Sequence, residues 1–193
     1  MSKLTNLMGR SNYISSHDRQ ENLYAVYETS ERKFCRELEK CNQEKFFKSG
    51  TDGKCIEARE LIIALPESFV DYNPSVLLEV FTNHFKRNYS VGCISALHYN
   101  KRKTNYHIHL IFSERNLLDE PIEKVAVRNM FYDEAGKHVR TKKEIFDGNV
   151  QIRLGCRIIP KGEVYERKLF TIKDSRFKSE GFLDEVKILY RVY

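Results

Sequence analysis

A chain of 193 residues, 31% charged and 41% hydrophobic with only 9 Gly and 4 Pro, has the balance of one folded domain; collagen-like, low-complexity and wholly disordered classes are excluded. Lys and Arg outnumber Asp and Glu by 33 to 27, a net charge of +6, which permits a polyanionic partner without identifying one. The excess is local: residues 137–178 carry twelve Lys and Arg against five acids, so the rest of the chain sums to −1.

Residues 4–8 form a short apolar stretch ending at Gly9, and a polar segment, 10–16, follows around Tyr13 and Ile14. Between 22 and 47, Leu23, Val26, Tyr27, Phe34, Leu38 and Phe46 recur at near-helical spacing and predict one helix or two. The Gly-rich stretch 48–54 reads as an exposed loop. Residues 60–65 (ELIIAL) predict a buried strand ending at Pro66, and 73–88 an amphipathic helix with Asn73 as N-cap and Pro74 at its first position. Two further strands, 91–98 and 106–112, are joined by the hydrophilic connector YNKRKTN and predict a β-hairpin. Beyond it, short strands are expected at 125–131, 137–145, 150–159 and 163–171, with turns at 133–136, 147–149 and 160–162 and a closing helix at 179–190. The expected fold class is α/β of the α+β kind, a largely antiparallel central sheet flanked by helices. One domain is expected over 1–193, with a basic, β-rich part at about 119–178.

No run approaches the roughly 18 apolar residues of a membrane span, and the first residues, MSKLTNLMGRS, contain no apolar signal core, so a cytoplasmic protein without a membrane partner is expected. Cys35, Cys41, Cys55, Cys93 and Cys156 are odd in number and form no CxxC pair. The Cys35 to Cys41 spacing fits no compact zinc knuckle, and packing is the expected role of all five.

The sharpest chemical signal is Tyr106-His-Ile-His-Leu-Ile-Phe112. On a strand, alternate side chains share a face, so His107 and His109 point the same way. An isolated HxH pair is often a coincidence of two surface residues. Here His98 ends the preceding strand of the same hairpin, and three of the chain's six histidines fall within twelve residues. Three neutral imidazole nitrogens can hold a divalent ion and leave positions open for substrate oxygens. His17, His84 and His138 have no such company and read as surface residues. Glu60, at the start of its strand, either lies on the histidine face, where it orients a ligand or assists a proton transfer, or faces solvent. Glu114 and Arg115 follow the histidine strand, and Arg115 either clamps a phosphate or pairs locally.

These residues carry a resemblance. The HxH strand, the upstream His98, a tyrosine near the N-terminus and the following Ser-Glu-Arg triplet resemble the MobA/MobL family of plasmid mobilisation relaxases, within the HUH endonuclease superfamily. The likeness runs through ARELIIALP and ISALHYNKRKTNYHIHLIFSERNLL, roughly residues 58–118, and GRSNYIS at 9–15 resembles the family's tyrosine motif. The spacing from His98 to His107 is one residue longer than the family pattern, and the strand before the tyrosine is shorter. The resemblance implies an HUH-type fold and metal-dependent, strand-specific nicking of single-stranded DNA at an origin of transfer. The tyrosine would attack phosphorus, form a 5′-phosphotyrosine link and release a 3′-hydroxyl.

Carried over, the nucleophile falls on Tyr13 and the metal ligands on His98, His107 and His109, with Mg²⁺ or Mn²⁺ as the implied cofactor. Residue chemistry alone does not choose Tyr13 over Tyr24 and Tyr27. The implied partners are origin-of-transfer DNA as a single strand and other relaxosome or coupling proteins, in a bacterial cytoplasm. Candidate DNA contacts are Arg10 beside the tyrosine, Lys101, Arg102 and Lys103 in the hairpin connector, Arg115, and Arg140, Lys142 and Lys143 in the basic segment. Phe131, Tyr132 and Phe146 are interleaved there and could stack bases. Two other functions stay open: an HUH rolling-circle replication initiator or transposase, and a non-catalytic single-stranded DNA-binding protein.

Overall fold

The computed structural model describes residues 1–100, 102–149 and 151–191. They form two compact units: residues 1–116 with 172–193, and Leu117–Thr171.

The first unit is mixed α and β around a five-stranded sheet. In chain order its elements are β1 (Ser2–Leu4), α1 (Leu7–Ile14), β2 (Leu23–Glu28), α2 (Arg32–Ser49), β3 (Ala58–Leu65), α3 (Pro74–Tyr89), β4 (Cys93–Tyr99) and β5 (Tyr106–Phe112). The strands pair antiparallel in the order β1-β3-β5-β4-β2. The α+β class expected from the sequence is therefore what the chain adopts.

Strand alternation divides this sheet into two chemically different faces. Leu61, Leu65, Leu97, Ile108, Leu110 and Phe112 point to one side, where they pack with Leu78, Phe81 and Phe85 of α3 and with Phe177 and Phe182. The α3 helix starts where the sequence predicts, with Asn73 Oδ1 accepting from the Ser75 and Val76 amides and Pro74 at the first position. The other side carries Glu60, His98, His107 and His109.

The polar segment 10–16 is helical as far as Ile14: Leu7–Ile14 is capped by the Asn6 side chain, which accepts from the Gly9 amide at 2.7 Å. A Cβ at Gly9 would stand 2.5 Å from Asn6 Oδ1, so glycine is what lets the cap close. One local prediction changes: residues 22–47 are not helical throughout. Their first part is β2, because Leu23, Ala25 and Tyr27 also alternate at a period of two and the segment pairs with β4; only α2 is helix.

The second unit holds β6 (Leu117–Val125), β7 (Met130–Tyr132), β8 (His138–Val139), β9 (Arg157–Ile159) and β10 (Val164–Phe170). β6 pairs with β10, and β7 lies between β8 and β9. A strand predicted at 125–131 is split, since β6 ends at Val125 and β7 begins at Met130; residues 142–145 form a 3₁₀ turn. The closing segment returns to the first unit as a 3₁₀ turn and α4 (Phe182–Leu189). Among the described residues, no helix is long and apolar enough to cross a membrane. All five cysteines are free thiols, and Cys35 and Cys93 are buried.

Candidate functional site

β4 and β5 set the register of the histidines. His98 sits directly opposite His107, and His109 lies two residues further along β5 opposite Ala96. One ring nitrogen from each of the three comes within 4.8 Å of the others.

Each imidazole also commits its other nitrogen to an acceptor. His98 Nε2 donates to the Ile14 carbonyl at 2.8 Å, His107 Nδ1 to the Asn105 carbonyl at 3.0 Å, and His109 Nδ1 to Glu60 Oε1 at 2.8 Å. Carbonyl and carboxylate oxygens only accept, so these contacts assign the protons and leave one lone pair per ring: Nδ1 of His98 and Nε2 of His107 and His109. The two Nε2 atoms face each other at 3.1 Å. Two lone pairs at that distance repel unless a proton or metal cation lies between them. Nitrogens that ligate one ion at about 2.1 Å stand about 3.0–3.4 Å apart, so the donor set fits a divalent cation. The chain thus holds a cluster able to take a metal ion, with the outer hydrogen bonds that orient metal-ligating histidines.

Burial tunes His98 and His107 toward the neutral, ligand-competent form. His98 is 6% exposed, and its pKa is pushed down to about 4 by burial, reinforced by His109, His107 and Arg10 and opposed by the Ile14 hydrogen bond. His107 is lowered too, first by burial and then by His109, against the bond to Asn105. The sign of the linkage follows: between about pH 4 and the ordinary histidine value near 6.5, the unfolded chain holds a proton on residue 98 that the folded chain refuses. Metal-free protein should hold its full stability from this group above about pH 6.5 and lose it progressively toward pH 4. Melting temperature between pH 6.5 and 4.5 checks this: it should fall with pH in the wild type and fall less steeply in His98→Asn. An equal slope in the two proteins would contradict it.

Glu60 lies on the histidine face, the first of the two placements its position allowed. Arg10 grips its carboxylate, with Nε 3.1 Å from both oxygens and Nη2 2.7 Å from Oε1. Burial acts to raise the Glu60 pKa, but the hydrogen bonds from His109 and Arg10 outweigh it and hold the group below the usual carboxylate range. Glu60 is therefore an ionised acceptor that orients His109. Arg10 also lies over the Tyr13 ring, 5.4 Å from its centroid.

Arg10 and Tyr13 reach this place because α1 buries Leu7, Ser11 and Ile14 and turns the intervening face outward. The Leu7 amide is anchored on Glu57 Oε2 at 2.7 Å. Tyr13 is 45% exposed and lines an open cleft of about 520 Å³ together with Arg10, the three histidines, Tyr99, Asn100 and residues 18–22. Tyr24 instead packs edge-on against Tyr99 and Tyr106, and Tyr27 bonds Asn83.

The cleft-lining acids Asp18 and Glu21 were not anticipated. The signal was available, since a strand starting at Leu23 pairs that residue with His98 and brings the preceding loop to the cluster.

The remaining candidate contacts lie in different places. Arg102 and Lys103 are exposed on the β4 to β5 connector, and Lys101 lies outside the described residues. Arg115 requires correction: it is 7% exposed and its Nε donates to Asn42 Oδ1 at 2.8 Å, so it is an internal strut and not a phosphate clamp. Arg140, Lys142 and Lys143 are exposed in the second unit. Two rings expected to stack bases already carry cations, with Lys142 Nζ 4.8 Å above Phe146 and the Arg157 guanidinium 4.9 Å above Tyr132.

The basic stretch 137–178 is also divided, because Lys173, Arg176 and Lys178 belong to the first unit. No protein-family model, curated protein or solved structure matches the chain.

Proposed function

We propose that the protein is a metal-dependent DNA relaxase of the MobA/MobL kind, which nicks one strand at an origin of transfer by tyrosine transesterification. The observation that carries this reading is the convergence of one free ring nitrogen from each of His98, His107 and His109 in the cleft that also exposes Tyr13. His98, His107 and His109 would hold the ion. A divalent cation there would neutralise charge on the non-bridging oxygens of the scissile phosphate. Imidazole donors alone rank Mn²⁺ and softer ions above Mg²⁺; the reading takes Mg²⁺ or Mn²⁺, as the family resemblance implies.

The chain's own residues supply the rest. Glu60 and the Ile14 and Asn105 carbonyls fix the tautomers and keep the three lone pairs aimed inward. Tyr13 is the nucleophile: its Oη forms the bond to phosphorus, the 3′-oxygen of the departing segment leaves, and the phenolic proton passes to solvent or to that oxygen. Attack yields a 5′-phosphotyrosine and a free 3′-hydroxyl, and because one phosphoester replaces another, the strand can be rejoined by reversal. Arg10 holds the phenol ring from above through its guanidinium. Single-stranded origin DNA is the substrate, and relaxosome or coupling proteins are the expected partners in mobilising a plasmid or other element.

The test is incubation of single-stranded origin oligonucleotides with the protein and Mn²⁺ or Mg²⁺, followed by denaturing electrophoresis. A covalent protein-DNA band that EDTA abolishes is expected. Retardation of DNA without a covalent band under any divalent ion would replace this reading with a binding protein.

A further inference from the structure

A second concave site lies in the first unit and shares no residue with the histidine cleft. It measures about 440 Å³ and is lined by Lys3, Lys54, Arg59, Lys173 and Lys178 with a single acid, Glu114. Arg59 and Glu60 are neighbours on β3, so their side chains leave the sheet on opposite faces.

The acid does not cancel this charge. Glu114 is already engaged by Arg59 Nε at 2.5 Å and by Lys173 Nζ at 3.0 Å, one carboxylate between two cations. The side chain of Arg59 is 5% exposed, yet among the described residues its only hydrogen bond is the one from Nε to Glu114. Its two terminal nitrogens, with four N–H donors, make no hydrogen bond to a described protein acceptor, and Arg59 is among the residues that line the pocket. A guanidinium whose terminal donors stay open presents a planar fork that matches a phosphate group. Lys3, Lys54 and Lys178 surround it from exposed positions.

We infer that this pocket binds a phosphate group, with Arg59 as its inner donor and Lys3, Lys54 and Lys178 as its outer charges. The ligand chemistry is a phosphate ester, carried either by a nucleic-acid strand passing over this part of the first unit or by a free nucleotide or pyrophosphate. The inference does not depend on the nuclease reading, because neither metal nor cleavage enters it.

The test uses the full chain in EDTA, where no nicking can occur. Affinity is measured by fluorescence anisotropy for a labelled single-stranded oligonucleotide across a salt series, and by calorimetry for pyrophosphate and a nucleoside monophosphate. The variant is Lys54→Ala/Lys178→Ala, two exposed positions whose loss leaves the Arg59 to Glu114 pair in place; equal melting temperatures verify its fold.

If the ligand is a strand, the double variant should bind the oligonucleotide about tenfold or more weakly and lose roughly 1 to 2 from the slope of log affinity against log salt. If it is a free phosphate ester, pyrophosphate or the nucleotide should bind the wild type and bind the variant about tenfold more weakly. Unchanged affinity and salt slope for all three probes would overturn the inference. A loss of binding here with covalent capture intact, or the reverse, separates this site from the histidine cleft.

Discussion

Tyr13→Phe is expected to reduce covalent capture of an origin oligonucleotide by about three orders of magnitude or more, as removal of a nucleophile generally does, while single-strand affinity stays within about threefold. The phenylalanine keeps the ring under Arg10 and removes only the oxygen that would bond to phosphorus. Tyr13 is held on the solvent side of a helix whose other face is buried, so the substitution should not disturb the fold. Tyr24→Phe is the matched control, because Tyr24 packs against Tyr99 and Tyr106 and does not line the cleft. Adduct yield on denaturing gels reads both variants. Undiminished capture by Tyr13→Phe would move the nucleophile elsewhere.

The second large effect concerns stability and lies away from the cleft. Glu114→Ala is expected to destabilise the first unit by about 3–5 kcal/mol, the usual cost of leaving one member of a buried ion pair without its partner. The Glu114 side chain is 1% exposed, and its removal takes from Arg59 its hydrogen-bond acceptor within the protein.

The pH dependence has a definite sign. Burial acts to raise the Glu114 pKa, but hydrogen bonds and charge from Arg59 and Lys173 outweigh it and hold the group below its ordinary value. The stabilisation is therefore complete above the unfolded carboxylate value near 4.3 and is lost as pH falls through the lower folded value. Urea unfolding at pH 7 should show the full deficit, and the gap between variant and wild type should narrow below about pH 4. A deficit under about 1 kcal/mol at pH 7 would mean that the pair contributes little net stability.

The parts of the fold that could be read from sequence are those where one pattern had one reading. β3, β4 and β5 combine apolar runs with turn residues at their ends, and Asn73-Pro74 is a helix start that needs no tertiary help. β2 was obscured because Leu23, Val26 and Tyr27 satisfy a helical period as well as an alternating one, and only pairing with β4 decides between them. α1 was obscured because it is only eight residues long, with Gly9, Arg10, Ser11 and Asn12 in succession between its apolar ends; a side-chain cap at Asn6 and burial of Leu7, Ser11 and Ile14 hold it in place.

The site divides in the same manner. Strand alternation and the hairpin were enough to bring the three histidines together, but they left Glu60 open between the histidine face and solvent; its contacts with His109 and Arg10 decide it. The acceptors that set the tautomers of His98 and His107 are backbone carbonyls of Ile14 and Asn105, and a carbonyl leaves no mark in composition or motif. The Ser-Glu-Arg triplet after β5 misled for a related reason. Charged residues following a strand usually meet water, but here Ser113 bonds the Arg115 carbonyl, Glu114 takes Arg59, and Arg115 reaches Asn42 on α2.

The central claim is that Tyr13 attacks phosphorus beside a metal held by His98, His107 and His109. Mass spectrometry of a trypsin-digested adduct formed with Mn²⁺ tests it most directly. Cleavage after Arg10 and Arg19 isolates residues 11–19, in which Tyr13 is the one tyrosine. The account predicts a 5′-linked nucleotide on that peptide, absent when His107 and His109 are both replaced by alanine. A nucleotide on any other residue, or the same adduct without the two histidines, would contradict it.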